Sequence, residues 1–301
     1  MTGKDFDVII IGGSYAGLSA AMSLGRSLRQ ILIIDSGLPC NRQTPLSHNF
    51  ITQDGEQPAA IAAKARAQVL AYPTVSFVND FALSGNKTKN GFTIITDSGN
   101  EFNTKKLIFA TGIKDLLPDI NGLAACWGIS VVHCPYCHGY ELRKQQTGII
   151  ANGERAFHLA SLVNNLTDEI TFLTNGKADF TEEQGVKFEK HHLQIIEAEI
   201  NEIEQENGQV RSVIFSNGSR KSFQALYLAA PFVQHSDIPA DLGCELTEQG
   251  YIKVNGMQKT TIEGVFACGD NSSMMRSVAN AAATGNLTGA MVNKELTDES
   301  F

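Results

Sequence analysis

The first thirty-five residues constrain the fold most. A short apolar run, Phe6-Asp7-Val8-Ile9-Ile10-Ile11, breaks at Gly12-Gly13-Ser14-Tyr15-Ala16-Gly17. Leu18, Ala21, Met22 and Leu28 then recur at helical spacing up to Gln30, and Ile31-Leu32-Ile33-Ile34 leads into Asp35. A nearly continuous β-branched run is the pattern of a strand buried on both faces in a parallel sheet. Strand, turn, helix and strand within about 30 residues make a βαβ unit of the dinucleotide-binding kind. The glycines let backbone approach a pyrophosphate, with Tyr15 and Ala16 in the same turn, and the helix aims its positive N-terminus at the anion. Asp35, followed by Ser36, is placed to accept hydrogen bonds from a ribose diol. Ser14 stands where the second glycine of the usual fingerprint falls, and the bland alternative is a tight strand–helix turn without a ligand. Strand before, helix after and acid in place favour the dinucleotide.

A weaker copy of the unit lies mid-chain. Gly148-Ile149-Ile150 runs into Ala151-Asn152-Gly153-Glu154-Arg155-Ala156, followed by a helical stretch from Phe157 to Leu166 and a strand, Ile170 to Leu173. Two such units, in a chain of 301 residues, imply two α/β domains. Phe92 to Thr96 and Leu107 to Ala110 read as strands, as do Arg211 to Phe215 and Leu226 to Ala229. Gly264-Val265-Phe266-Ala267 precedes a Gly269-Asp270 turn and a small-residue helix from Ser277 to Asn293. Strand ends carry ligands in sheets of this kind, which draws attention to Ala110-Thr111-Gly112 and Cys268-Gly269-Asp270. Asp270 could bind a cofactor hydroxyl or cap the next helix; beside the first glycine turn, cofactor binding is the better reading.

The apolar runs are strand-length, far from the roughly 20 residues needed to cross a bilayer. Hydrophobic residues make up 43% and charged residues 19%, the balance of a globular chain. A formal charge of −8 argues against nucleic acid as partner. Met1 to Asp7 is acidic and enters a strand at once, so no signal peptide is expected and the cytoplasm is the default address.

Of six cysteines only two are close together, in His133-Cys134-Pro135-Tyr136-Cys137-His138-Gly139-Tyr140-Glu141. In a reducing compartment such a pair is more often catalytic or metal-binding than structural. This spacing lets a disulfide close and open with little backbone movement, and a neighbouring imidazolium would raise the thiolate population. His138 is the first candidate proton carrier and His133 the second. The alternatives are a zinc half-site or two inert buried cysteines. Zinc wants four ligands and no second Cys-x-x-Cys exists, although the flanking histidines could contribute. Redox chemistry is favoured. Glu141 could orient His138 or simply begin a helix. Cys40, Cys126, Cys244 and Cys268 read as reduced thiols, and Trp127 as a packing residue. His191 and His192 read as a solvated strand end, and Glu197 to Glu206 as a solvated face.

These features, in this order, resemble the low-molecular-weight thioredoxin reductase family. The string Cys134 to Glu141 more closely resembles the thioredoxin-reductase-like branch, which includes the dithiol oxidases that close disulfides in gliotoxin and holomycin. The resemblance implies an FAD domain, residues 1–113 and 246–301, split around an inserted NAD(P)-like domain, 114–245, that carries the cysteines. Each would be a three-layer ββα Rossmann-like domain. It implies that Cys137 faces the flavin and Cys134 exchanges with an external thiol. His138 takes the place of the aspartate that follows the pair in true thioredoxin reductases. Asn41-Arg42 and Ser47-His48-Asn49 resemble the loop along FAD, Ser277-Val278 sits where the last helix reaches the flavin ring, and a homodimer is implied.

The departures lie in the second unit. Ala151 replaces the first glycine of its motif, and Ile170 to Leu173 runs into Thr174-Asn175-Gly176-Lys177 with no arginine to clamp a 2′-phosphate. Pro231 stands near where the family carries a glycine. The reading is therefore an FAD-dependent thiol–disulfide oxidoreductase with weak or no NADPH dependence. Its partner is a thioredoxin-like protein or a small-molecule dithiol or disulfide. Oxygen, giving hydrogen peroxide, is one candidate acceptor, and NADH stays open. The competing readings are an NADPH-dependent thioredoxin reductase and a flavin-bound redox sensor.

Overall fold

β1 (Asp5–Ile11) feeds two cores at once. Val8 and Ile10 point to one face of a sheet, where they meet Leu18, Leu24, Val292 and Leu296. Ile9 and Ile11 point to the other, with Phe92, Phe102, Ile238 and Ile252. Period-two alternation with both faces covered is why the strand reads as uninterrupted hydrophobicity. The structure, a computed structural model, describes residues 5–301. The first four positions of the acidic N-terminal stretch, which also open the expected FAD domain, lie outside the described residues.

α1 (Tyr15–Arg26) and β2 (Ile31–Asp35) complete the predicted crossover. The helix ends at Arg26, not Gln30, because Leu28 turns left-handed at φ 59° and faces solvent. The amides of Leu28 and Arg29 donate back to the Gly25 and Leu24 carbonyls, ending the helix with its last acceptors satisfied. α2 (Pro58–Leu70), β3 (Val75–Asn79), the antiparallel β4 (Ala82–Thr88) and β5 (Gly91–Thr96), β6 (Glu101–Phe109) and the short β7 (Ile113–Asp115) follow. The second body contains α3 (Leu123–Cys126), β8 (Val131–Val132), α4 (Pro135–His138), β9 (Thr147–Ile150), α5 (Gly153–Val163) and β10 (Ile170–Leu173). It continues with α6 (Glu182–Lys190), β11 (Gln194–Ile196), β12 (Ile200–Glu206), β13 (Gln209–Phe215), β14 (Arg220–Ser222) and β15 (Ala225–Leu228). β16 (Phe232–Gln234), α7 (Ile238–Asp241), β17 (Val265–Ala267) and the long α8 (Val278–Asp298) return to the first.

In the first unit the strands run β3-β2-β1-β6-β5-β4, with β17 also on β6. β6 is shared along its length. Its first half pairs antiparallel with β5 (Thr104 opposite Phe92) and its second half parallel with β17 (Leu107 opposite Val265). In the second unit five parallel strands run β11-β10-β9-β15-β8. One face of that sheet packs Ile149 and Phe172 against Leu159, Val163 and Phe188 of the helices. The other packs Ile150 and Leu173 against Ile203, Val213 and Phe215 of the antiparallel sheet β12-β13-β14. Helices, parallel sheet and antiparallel sheet form the expected three layers. The acidic stretch Glu197 to Glu206 includes β12, whose Ile200 and Ile203 point inward. His191 and His192 close helix α6 instead of ending a strand, with His192 at φ 56°.

The first unit comprises Met1–Arg42, Asn49–Lys114 and Phe232–Phe301, and the second Gln43–His48 and Asp115–Pro231. The chain returns at 231/232, earlier than 245/246, because β16 pairs with β7 and Ile238 and Cys244 join the core of Phe6 and Ile9. Gln43–His48 folds with the second body, a departure the sequence does not signal.

Candidate functional site

In the first unit a cradle forms where β1, β6 and β17 end. Gly12 has φ 105°, and a side chain there would run into the Ala110 carbonyl. A Cβ on Gly17 would strike the Gly12 carbonyl, so the turn closes only with glycine at both positions. Ser14 occupies the N-cap of α1 but makes no side-chain cap, which leaves the first-turn amides to a ligand. The Asp35 carboxylate accepts from the Gly13 amide at 2.8 Å and the Gly37 amide at 3.2 Å, with Ser36 exposed beside it. A carboxylate has further lone pairs for a diol. Tyr15 donates to the Pro58 carbonyl (3.2 Å) and accepts from Asn41 (3.4 Å); burial raises its hydroxyl pKa. Arg42 folds back on the Pro39 carbonyl, and Asn49, at φ 60°, donates its amide to Asp54.

Gly112 and Gly269 sit at the strand ends in left-handed conformation, φ 64° and 82°. Asp270 does not cap α8. Ser277 does so, accepting from the Asn280 amide at 3.1 Å, and Val278 begins the helix. Asp270 instead lies 3.9 Å from Arg276. Asn271, which sequence reasoning missed, is fully buried. Its Nδ2 donates to the Phe109 carbonyl (2.8 Å) and to Thr111 (3.3 Å), tying β6 to β17, while its Oδ1 has no partner among the described residues. Gln234 braces the same corner by donating to the Gly250 and Asn271 carbonyls. Uncapped helix amides, glycines that admit close backbone approach and an orphaned buried acceptor at the strand ends fit a dinucleotide cofactor such as FAD.

In the second unit Cys134 and Cys137 form a disulfide, with Cα atoms 5.3 Å apart. Cys134 is the N-cap of α4, and its Sγ accepts from the Cys137 amide at 3.1 Å. Pro135 occupies the first helical turn, where a missing N–H costs nothing. His138 follows directly. Burial lowers its pKa; the Glu141 charge opposes this and His48 adds to it. His48 Nε2 lies 3.6 Å from Glu141 Oε1, so this residue of the expected FAD loop stands in the second unit, near the cysteine segment. His133 stacks beside Trp127, ring centroids 5.9 Å apart, as Trp127 fills the core. Tyr136 and Tyr140, in the same segment, are both 68% exposed. Elsewhere Cys126, Cys244 and Cys268 are buried, and burial pushes the Cys268 thiol up to about 12, so it stays protonated.

The turn after β9 differs in its chemistry. Asn152 caps α5, its Oδ1 accepting from the amides of Gly153 and Asp179, both at 2.9 Å. Its Nδ2 donates to the Lys177 carbonyl at 2.8 Å. The segment after β10 is thereby tied across the helix start, with the Asp179 carboxylate close to Gly153.

A family model described as pyridine nucleotide-disulphide oxidoreductase matches residues 6–285. Thioredoxin reductase tcpT of Claviceps purpurea is 32% identical over 98% of this chain and 95% of its own length. The crystal structure of an oxidoreductase from Agrobacterium tumefaciens is 36% identical and superposes with a TM-score of 0.92 over 98% of this chain and 99% of that one. That of HlmI, 28% identical, gives 0.94 over 100% and 95%. No helix among the described residues is long and apolar enough to cross a membrane.

Proposed function

This chain belongs to the pyridine nucleotide-disulphide oxidoreductase family and is a flavin-dependent disulfide oxidoreductase; from that premise we propose that it exchanges electrons between FAD, the Cys134/Cys137 pair and an external dithiol or disulfide, with little dependence on NADPH. FAD would lie in the first unit. Gly12, Ser14, Tyr15, Ala16 and Gly17 would receive its diphosphate and Asp35 its ribose. Thr111, Gly112, Gly269 and Asp270 would line the strand ends, with Ser277 and Val278 at the flavin. When bound, it supplies a two-electron acceptor or donor for the cysteine pair.

Within the chain's own residues, an external thiol gives up its proton and attacks Cys134 Sγ. The Cys134–Cys137 bond breaks as the mixed disulfide forms, and Cys137 leaves as the thiolate. His138, held neutral by burial, takes the proton and returns it in the reverse direction. Attack by the second external thiol on the mixed disulfide releases Cys134, so one dithiol is oxidised and one protein disulfide reduced. The partner is a small-molecule dithiol or a thioredoxin-like protein, and the working form a homodimer.

The observation that carries the low NADPH dependence is Asn152. Its carboxamide already takes the first α5 amide, and the Asp179 carboxylate near Gly153 adds negative charge that disfavours a pyrophosphate there. The test is an anaerobic titration of the holoenzyme with dithiothreitol, NADH and NADPH, followed by flavin absorbance. Dithiothreitol should bleach the flavin about a hundredfold faster than NADPH, equivalent to roughly 2.7 kcal/mol of lost transition-state binding. Equal rates would restore the second reading, an NADPH-dependent thioredoxin-disulfide reductase, which the name of the Claviceps relative favours. A protein purified colourless and unable to take up FAD would overturn both.

A further inference from the structure

Residues 43–48 lie between two segments of the first unit in sequence yet fold with the second. Gln43 Nε2 donates to the Ala124 carbonyl at 3.4 Å. Thr44 packs against Gly128, where a Cβ would approach its Oγ1 to 3.2 Å, and Ser47 is buried. This anchored strap ends at His48, whose Nε2 is 3.6 Å from Glu141 Oε1. Glu141 is three residues beyond His138, and the Leu142 amide donates to the His138 carbonyl at 3.2 Å, so the backbone continues helically. Residues three apart on a helical turn share a face. A carboxylate paired with one histidine thus stands beside a second histidine, the one adjoining the cysteine pair.

We propose that His48 and Glu141 are positioning residues of the cysteine site: an imidazole–carboxylate pair that sets how readily His138 holds a proton, and hence the pH range in which Cys134 and Cys137 exchange. The inference rests on the reading of that pair given above, and it moves His48 from the cofactor to the thiol chemistry. Burial and His48 oppose the His138 imidazolium, while Glu141 favours it. Tyr227 faces Glu141 from β15; its hydroxyl is pushed up to about 12 by burial and by Glu141, so it stays neutral. α5 packs on α4. Of its ionisable groups, His158 and Arg155 are exposed and Glu154 is bonded to Gln184. Arg143 lies over the Tyr140 ring. Among the described residues, the ionisable groups that act on His138 are therefore Glu141 and His48.

Two groups that act on His138 in opposite directions demand opposite effects, which a merely structural role does not produce. The holoenzyme, its Glu141→Gln and His48→Gln variants and the double variant are reduced with dithiothreitol and desalted anaerobically. The rate of iodoacetamide alkylation is then followed against pH. Glu141→Gln should move the apparent pKa of the coupled Cys–His system down and His48→Gln should move it up, each by about half a unit, with near-cancellation in the double variant. Bound FAD should be unchanged in His48→Gln. Shifts of the same sign, no shift, or loss of FAD from His48→Gln with an unaltered profile would each overturn the proposal. Should Glu141→Gln not fold, the sign in His48→Gln alone decides. Cys134→Ser separates the two levels. If it keeps full dithiol turnover, the reading of the cysteine pair fails. If it is inactive while the histidine and glutamate variants match the wild type, only the present inference fails.

Discussion

The two glycine turns, after β1 and after β9, share an architecture and differ in what they leave unsatisfied. Both follow a central parallel strand and open a helix. After β1 the side chain that braces the turn comes from the end of the next strand: Asp35 takes the Gly13 amide, and the N-cap Ser14 leaves the α1 amides uncovered. After β9 the brace comes from inside the turn, and Asn152 consumes the amide an anion would use. A nucleotide fold is thus no evidence of a nucleotide site; the accounting of helix-start amides is.

Breaking the first turn should have the largest effect. Gly17→Val should abolish FAD retention and lower the melting temperature by roughly 10 °C, since its side chain would meet the Gly12 carbonyl. Gly153→Ala, at φ 57° with looser surroundings, should keep full flavin content and cost about 1–2 kcal/mol, measured by urea unfolding. Next in size, clearing the second turn with Asn152→Ala and Asp179→Ala together should tighten NADPH binding about tenfold by calorimetry. No gain would mean that something other than self-occupancy keeps the nucleotide out.

Asn152→Ala alone should cost about 1 kcal/mol of stability, the loss of a helix cap, with dithiothreitol bleaching unchanged. The smallest effect is on acid stability. Because burial depresses His138's affinity for protons, the unfolded chain binds more of them. Stability from this group is therefore complete above about 6.5, the ordinary imidazole value, and is lost as pH falls through the depressed folded value. His138→Gln should flatten the fall in melting temperature over that window.

The βαβ start was legible because a nearly continuous apolar run gives way at the glycines to helical spacing and is followed by a second apolar run, with Asp35 marking the strand end. The cysteine segment was legible because its chemistry is local. Asn271 was not, since its significance depends on meeting Phe109 and Thr111, far away in sequence. The return at 231/232 was hidden because the three-residue strands β7 and β16 are too short to carry a period. The over-extension of α1 arose from Leu28, an exposed leucine that happens to keep helical spacing. Asp179 escaped because its closeness to Gly153 follows from the path of a loop.

The shared strand β6 also sets an order of assembly. Its second half waits for β17, and α1 waits for α8, which packs along it; both partners are synthesised only after residues 115–231. The inserted body, by contrast, has the whole of its own sheet within a continuous stretch of chain. It can fold on the ribosome while the first body is still an open sheet in which the part of one edge of β6 that β17 takes is unpaired, closing the longest loop last. If FAD lies at the ends of β1, β6 and β17 as proposed, its capture is a late event in biogenesis, and excess FAD during synthesis would act on that final closure and not on the cysteine domain.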